Sequence, residues 1–124
     1  MTEMLSHVSF TTIPVDDYDR AKAFYVDVLG MVERSDAAMG SERWIMLEVP
    51  GSRTRVHFDR RDGEAQALRP VLPMIAADVA GAVETVRAKG AEIVREAEPA
   101  EWDAETTYAM IRDSEGNLVM IASR

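Results

Sequence analysis

The sequence predicts one α+β domain over residues 1–124, in which a strand–helix–strands unit occurs twice and folds around a shared cleft. Three observations predict it. Two amphipathic segments of nearly equal length each follow an Asp and end at a Gly, from Asp17 to Gly30 and from Asp78 to Gly90. The two copies lie about 60 residues apart, the mark of an internal duplication. A hairpin pattern with one wholly apolar side then follows each of them.

Leu5 to Val15, rich in Val, Phe, Thr and Ile, reads as the first strand, ended by Pro14 and Asp16-Asp17. Asp17 caps a helix by accepting a bond from a free backbone N–H, and its charge suits that end. Ala21, Phe24, Tyr25 and Val28 fall at i, i+3, i+4 and i+7, one sticky face of a helix running to about Leu29. Gly30 stops it, because glycine takes the left-handed conformation without penalty. Ser35 to Glu42 is expected to be a loop.

Arg43 to Val49 and Arg53 to Asp59 flank the turn signal Pro50-Gly51-Ser52 and predict a hairpin. With Val49 opposite Thr54, Glu48 meets Arg55, Leu47 meets Val56, Met46 meets His57, Ile45 meets Phe58 and Trp44 meets Asp59. Ile45, Leu47, Val56 and Phe58 then share one side. Trp44, Met46, Glu48, Arg55, His57 and Asp59 share the other, and a slip of one residue would mix the two sets.

The second copy repeats the plan. Val71 to Ala76 predicts a strand, Asp78 a cap, and Val79, Ala82, Val83 and Val86 a helical face stopped by Gly90. Tyr108 to Arg112 and Asn117 to Ala122 flank Asp113-Ser114-Glu115-Gly116, where Gly116 suits a positive φ. Ala109, Ile111, Val119 and Ile121 should face the helix; Tyr108, Met110, Arg112, Leu118, Met120 and Ala122 should face away. The polar run Arg60 to Glu64 serves as the joint. This divides the chain into module one (1–62), a linker (63–67) and module two (68–124). Ala97 to Thr106 is expected to be a loop carrying Trp102.

Composition narrows the function. A net charge of −8 disfavours nucleic acid and anionic lipid as partners and favours solubility, while a cationic ligand would be drawn to it. The absence of cysteine excludes disulfides, a thiolate nucleophile and cysteine-held metal. Met1 to Phe10 lacks a basic stretch followed by an apolar one, and no run is long enough to span a bilayer, so a cytoplasmic protein is expected. No serine stands in a nucleophile elbow and no glycine-rich phosphate loop follows a strand.

Thr12-Ile13-Pro14-Val15-Asp16-Asp17, Asp19-Arg20-Ala21, Phe24-Tyr25, Val28-Leu29-Gly30 and Arg112-Asp113-Ser114-Glu115-Gly116-Asn117 together resemble the vicinal oxygen chelate superfamily. This is the glyoxalase, bleomycin-resistance and extradiol-dioxygenase group. In its Asp-Pro-Asp-Gly-Asn turn, Ser114 and Glu115 stand here for Pro and Asp. The resemblance covers nearly the whole chain. It implies a glyoxalase-like fold of two βαβββ modules whose sheets curl around a cleft, with a homodimer often completing it. It also places four metal-ligand positions on Phe10, His57, Val71 and Met120. Phe and Val do not ligate, and a thioether is too soft for Mg²⁺, Mn²⁺ or Fe²⁺. His7, an odd number of residues from Phe10, would point to the opposite face of a regular strand. No metal site and no cofactor are therefore expected.

His57 is the candidate catalytic residue, a general base or hydrogen-bonding anchor, with a satisfied structural histidine held by Asp59 or Glu48 as the alternative. Glu48 and Arg55 read most simply as a cross-strand ion pair. Phe10, Trp44, Met46, Glu48, Arg55, His57, Trp102, Tyr108, Met110 and Met120 form the candidate ligand-binding set, apolar and deformable; the alternative is that they simply fill the core. Arg43 and Arg112 read as surface residues rather than anion clamps. The leading expectation is a metal-independent protein that binds a small organic molecule, with cation–π contacts of about 0.5–2 kcal/mol per ring for a cationic ligand. One alternative is a metal-dependent lyase, isomerase or dioxygenase using His57 with His7 or Glu48. The other is a structural or partner-binding module with a self-plugged cleft.

Overall fold

In the computed structural model, which describes residues 4–63 and 69–124, the repeat becomes two successive strand–helix–three-strand units. The first comprises β1 (Thr11–Val15), α1 (Tyr18–Ala23) continued by a π-helical segment (Phe24–Val28), β2 (Val32–Met39), β3 (Glu42–Glu48) and β4 (Arg55–Arg60). The second comprises β5 (Pro70–Ile75), α2 (Val79–Ala88), β6 (Glu92–Ala100), β7 (Asp103–Arg112) and β8 (Leu118–Ala122). Each unit makes a four-stranded mixed sheet, ordered β1-β4-β3-β2 and β5-β8-β7-β6. The first strand of each unit runs parallel to its last. The two sheets remain open and separate, an α+β fold of two like modules. Of the expected linker, residues 64–67 lie outside the described residues.

Local chemistry explains most boundaries. Asp17 accepts the Arg20 N–H at 3.0 Å and Asp78 accepts the Gly81 N–H at 2.9 Å, so both caps form. Both helices stop at glycines with positive φ, +78° at Gly30 and +93° at Gly90. The single α-helix expected to Leu29 instead widens after Ala23, and the Leu29 N–H reaches five residues back to the Phe24 carbonyl. Tyr25 is fully buried there, whereas Phe24 keeps an exposed side.

Three other expectations are corrected. The first strand begins at Thr11 and not Leu5. Thr11 pairs with Val56 in a parallel ladder, so anything before Phe10 would have to pair with the Pro50–Thr54 turn, which offers no strand. Leu5 and Val8 are accordingly exposed. The loop expected at Ser35 to Glu42 is mostly β2, an edge strand paired only with β3, whose polar sequence shows no alternation because neither face is buried. The loop expected at Ala97 to Thr106 is the end of β6, a tight turn and the start of β7. Register breaks at Ile93/Arg95, Arg95/Glu98 and Pro99/Ala100 scramble the period-two pattern there.

The first hairpin takes the predicted register, with Met46 opposite His57 and Glu48 opposite Arg55, and the second pairs Met110 with Met120 and Arg112 with Leu118, in keeping with its predicted faces. Ile45, Leu47, Val56, Phe58, Ala109, Ile111, Val119 and Ile121 are buried and join the helix residues Ala21, Tyr25, Val83 and Val86 in one core. On the first module, Arg43 is held by Asp36 and Asp19, and Lys22 also reaches Asp36, which ties α1 to β2. Those cations hold the Asp36 carboxyl down to about 2.

A buried polar staple joins the modules at the β7–β8 turn. Glu115, only 4% exposed, accepts the Arg20 guanidinium at 2.7 and 3.0 Å and the backbone N–H groups of Asp16 and Asp17 at 2.8 and 2.9 Å. Asp113 receives the Tyr25 hydroxyl at 2.6 Å and, through its other oxygen, the N–H groups of Glu115 and Asn117. Asn117 donates its amide to the Pro14 carbonyl at 2.8 Å. Arg61 reaches the Glu115 carbonyl at 2.6 Å, while its Nε is buried 3.8 Å from Asp16.

Burial pushes the Glu115 carboxyl up, but the bonds from Arg20, Asp17, Asp16 and Ser114 outweigh it and bring it to about 2. Its folded-state value lies below its ordinary one, so its contribution is present above about pH 4.5 and is lost as pH falls toward 2. Chemical denaturation across that window should show a loss of roughly 2–3 kcal/mol that Glu115→Gln lacks. The variant should also be destabilised at neutral pH by about 1–3 kcal/mol. An acid limb unchanged in Glu115→Gln would assign the acid sensitivity to other carboxylates.

Candidate functional site

Strand alternation sends one set of side chains of each hairpin under its helix and leaves the other set on an open face. On the first module that face carries Trp44, Met46 and Glu48 from β3 and Arg55 and His57 from β4, with Ala37 and Ser35 of β2 beside Trp44 and Met46. Phe10 immediately precedes β1, whose Thr12 pairs with His57.

Three rings meet here. Trp44 and His57 lie 4.2 Å apart between centroids, Phe10 and His57 5.3 Å, and Phe10 and Trp44 5.9 Å in an edge-to-face arrangement. All three are half-buried, so each keeps some exposed surface. The His57 partner expected at Asp59 or Glu48 is instead the Thr12 hydroxyl, 3.4 Å from Nδ1. Burial pushes the imidazole below its ordinary value, and only the more distant Asp59 charge pulls it back. Glu48 accepts from Arg55 at 2.9 Å, the cross-strand pair read from the sequence.

The second module presents a separate group. Trp102 sits on the β6–β7 turn, 66% exposed, and stacks on Tyr108 at 5.1 Å with 30° between the planes. The Arg95 guanidinium lies 3.7 Å from the Tyr108 ring centroid and is fixed by the carbonyls of Tyr108, Glu98 and Pro99. Met110 and Met120 are cross-strand neighbours on the same hairpin. Among the described residues, no hydrogen bond, ion pair or ring contact joins the Phe10–Trp44–His57 group to the Trp102–Tyr108–Arg95 group.

Sequence reasoning missed Thr12 and Arg95. Thr12 was recoverable, since it lies two residues from Phe10 and so on the same side of the strand. Arg95 was not, because the breaks on either side of it hide its face. His7 is also corrected. Residues 4–10 are not a strand, and His7 lines the same depression as Phe10, Thr11, Arg53 and Arg55 rather than an opposite face.

The positions that the resemblance assigns to metal ligands do not fit a divalent ion. Phe10, Val71 and Met120 supply no hard donor, and the His57 ring is flanked by Phe10 and Trp44. Among the described residues no group of three or more His, Cys, Asp or Glu side chains is gathered to hold a metal. Around His7 and Glu48, Arg53 and Arg55 would repel a cation. What this face offers chemically is stacking, apolar contact, a hydrogen bond from one imidazole and the charged Glu48–Arg55 pair at its edge.

By NMR titration, His57 should titrate below the ordinary imidazole value of 6.5 and be neutral at pH 7. Trp44→Ala, which admits water beside the ring, should move that midpoint upward. An unmoved midpoint would place the cause of the shift outside the aromatic cluster.

No helix among the described residues is long and apolar enough to cross a membrane. The protein YurT of Bacillus subtilis (strain 168) is 28% identical over 125 residues, covering 92% of this chain and 96% of its own. The crystal structure of UcmS2 superposes with a TM-score of 0.84 at 25% identity, over 98% of this chain and all of that one. TnmS3, an antibiotic binding protein from Streptomyces sp. CB03234, superposes with a TM-score of 0.80 at 21% identity, over 97% of each chain. A family model matches residues 5–121, nearly the whole chain. The chain belongs to the Glyoxalase/Bleomycin resistance protein/Dioxygenase superfamily.

Proposed function

We propose that this protein binds and sequesters a small organic molecule on its open aromatic and methionine-lined faces, without a resident metal. The observation that carries the reading is the half-exposed Phe10–Trp44–His57 cluster, three rings in mutual contact where a chelating member would need hard donors. Met46, Met110 and Met120 add an adaptable lining, and Trp102 on Tyr108 adds a second stacking surface. The antibiotic binding of TnmS3, a protein of the same fold, agrees with this reading. His57 serves as a neutral hydrogen-bonding anchor whose orientation Thr12 helps to set.

Pairing of two copies belongs to the same proposal. The two ring groups of one chain do not touch, and a second copy that set its Tyr108 face against the Trp44 face of the first would enclose the ligand. Analytical ultracentrifugation should find a dimer, and a strictly monomeric protein that still binds would confine the site to one chain.

Tryptophan fluorescence should respond to a suitable aromatic ligand and remain unchanged by EDTA. Trp44→Ala should weaken binding about tenfold. Binding or turnover abolished by EDTA and restored by Mn²⁺ or Fe²⁺ would replace this reading with a metalloenzyme.

A further inference from the structure

Beside the aromatic cluster lies a feature at odds with the overall charge of the chain. Two adjoining depressions of about 250–260 Å³ open at the end of the β3–β4 hairpin. One is lined by His7, Ser9, Glu48, Ser52, Arg53 and Arg55, and the other shares His7, Arg53 and Arg55 and is closed by Phe10. The Phe10 ring therefore belongs both to the depression and to the stack with Trp44 and His57.

The charges here run opposite to the net −8 of the chain. Glu48 is the sole carboxylate of the lining. Its Oε1 accepts the Arg55 Nε at 2.9 Å, and its Oε2 lies 3.9 Å from Arg34. That leaves the terminal nitrogens of Arg55 without a bond among the described residues, and Arg53 with neither hydrogen bond nor ion pair among them. Two guanidinium groups thus flank the depression against one carboxylate that is already shared. A guanidinium fork matches a carboxylate in two parallel bonds, which gives orientation as well as attraction.

Resting on the function proposed above, we infer that the first-module face takes a planar aromatic carboxylate, its ring against Phe10, Trp44 and His57 and its acid group on Arg53 and Arg55. The ligand class is thus an organic acid rather than the cation that composition alone suggests. The long-range field of an acidic chain is screened within about 8 Å at physiological salt, so the two adjacent arginines decide the local preference. Arg53 sits at the hairpin turn and Arg55 opposite Glu48, which is why the acid group would lie toward the turn and the ring toward the sheet.

Calorimetric titration of the intact protein with 1-naphthoate, its neutral amide 1-naphthamide, and cationic 1-naphthylmethylamine tests this. The acid should bind at least tenfold tighter than the amide, and the amine weakest. Arg53→Gln, which breaks no hydrogen bond or ion pair among the described residues, should cut the preference for the acid over 1-naphthamide to about threefold or less. Arg55→Gln should act likewise, with a thermal melt checking that it folds; if it does not, Arg53→Gln decides. Equal binding of acid and amide to the wild type, or a preference that survives Arg53→Gln, overturns the acid subsite and leaves the aromatic face standing. Failure of all three probes to bind overturns both.

Discussion

Glu115 is a carboxylate taken out of water where the two modules meet, and what surrounds it fixes how they sit. Desolvating a charge costs several kcal/mol unless its lone pairs are answered, and here they are answered from across the joint. The Arg20 guanidinium closes on both oxygens, and the N–H groups of Asp16 and Asp17 lead directly into α1. The same turn takes the Tyr25 hydroxyl on Asp113 and gives the Asn117 amide to Pro14. Each bond runs between a turn of the second module and β1, the first helix or the link that joins them. Tyr25 is fully buried in the shared core, so apolar packing and polar staple constrain the same helix. With the helix-bearing sides so committed to the core, the two ring groups lie on the reverse sides of the sheets.

That division explains how an acidic protein comes to present a locally basic rim. Lys22, Arg43, Arg20 and Arg61 are spent on the staple and on the α1 edge, where carboxylates or carbonyls face them. Arg53 and Arg55 lie instead at the exposed end of the β3–β4 hairpin, where Glu48 is the one carboxylate within the lining. A net charge is a sum over the surface and carries no information about where opposite charges fail to pair. The composition sets the long-range field of the chain and says little about the charge of a ligand held within a few ångströms of two guanidinium groups.

The parts legible in the sequence were those with a single buried face. The register of the first hairpin and the faces of both followed from alternation, because moving Ile45, Leu47, Val56 and Phe58 by one position would have exposed all four. The helix caps and stops followed from Asp and Gly chemistry. Illegible were β2, exposed on both sides, and β6, whose breaks change which face a residue occupies. The segment before Thr11 had the composition of a strand and no partner to pair with, a fact held 45 residues away in the turn before Arg55. The staple was visible only as a resemblance in Arg112 to Asn117. Nothing local in Ser114-Glu115 says that a carboxylate there will be buried on an arginine of the other module. Of the candidate site, the membership of each face was readable and the Thr12–His57 contact was nearly so, since it depends on the parallel pairing of two distant strands.

The chemistry open to the first-module face is bounded by what surrounds its one imidazole. A general base needs to accept a proton near neutral pH and to move between partners. His57 is held low by burial, rests against two aromatic rings and finds only a hydroxyl at 3.4 Å, with no carboxylate within hydrogen-bonding reach to stabilise its charged form. A neutral ring so placed donates or accepts one hydrogen bond and offers a π surface to a flat molecule. By the resemblance, Phe10 falls on a position that carries a metal ligand in a chelating member. Its ring lies 5.3 Å from that of His57 and 5.9 Å from that of Trp44, so in this chain the position is part of a stacking wall.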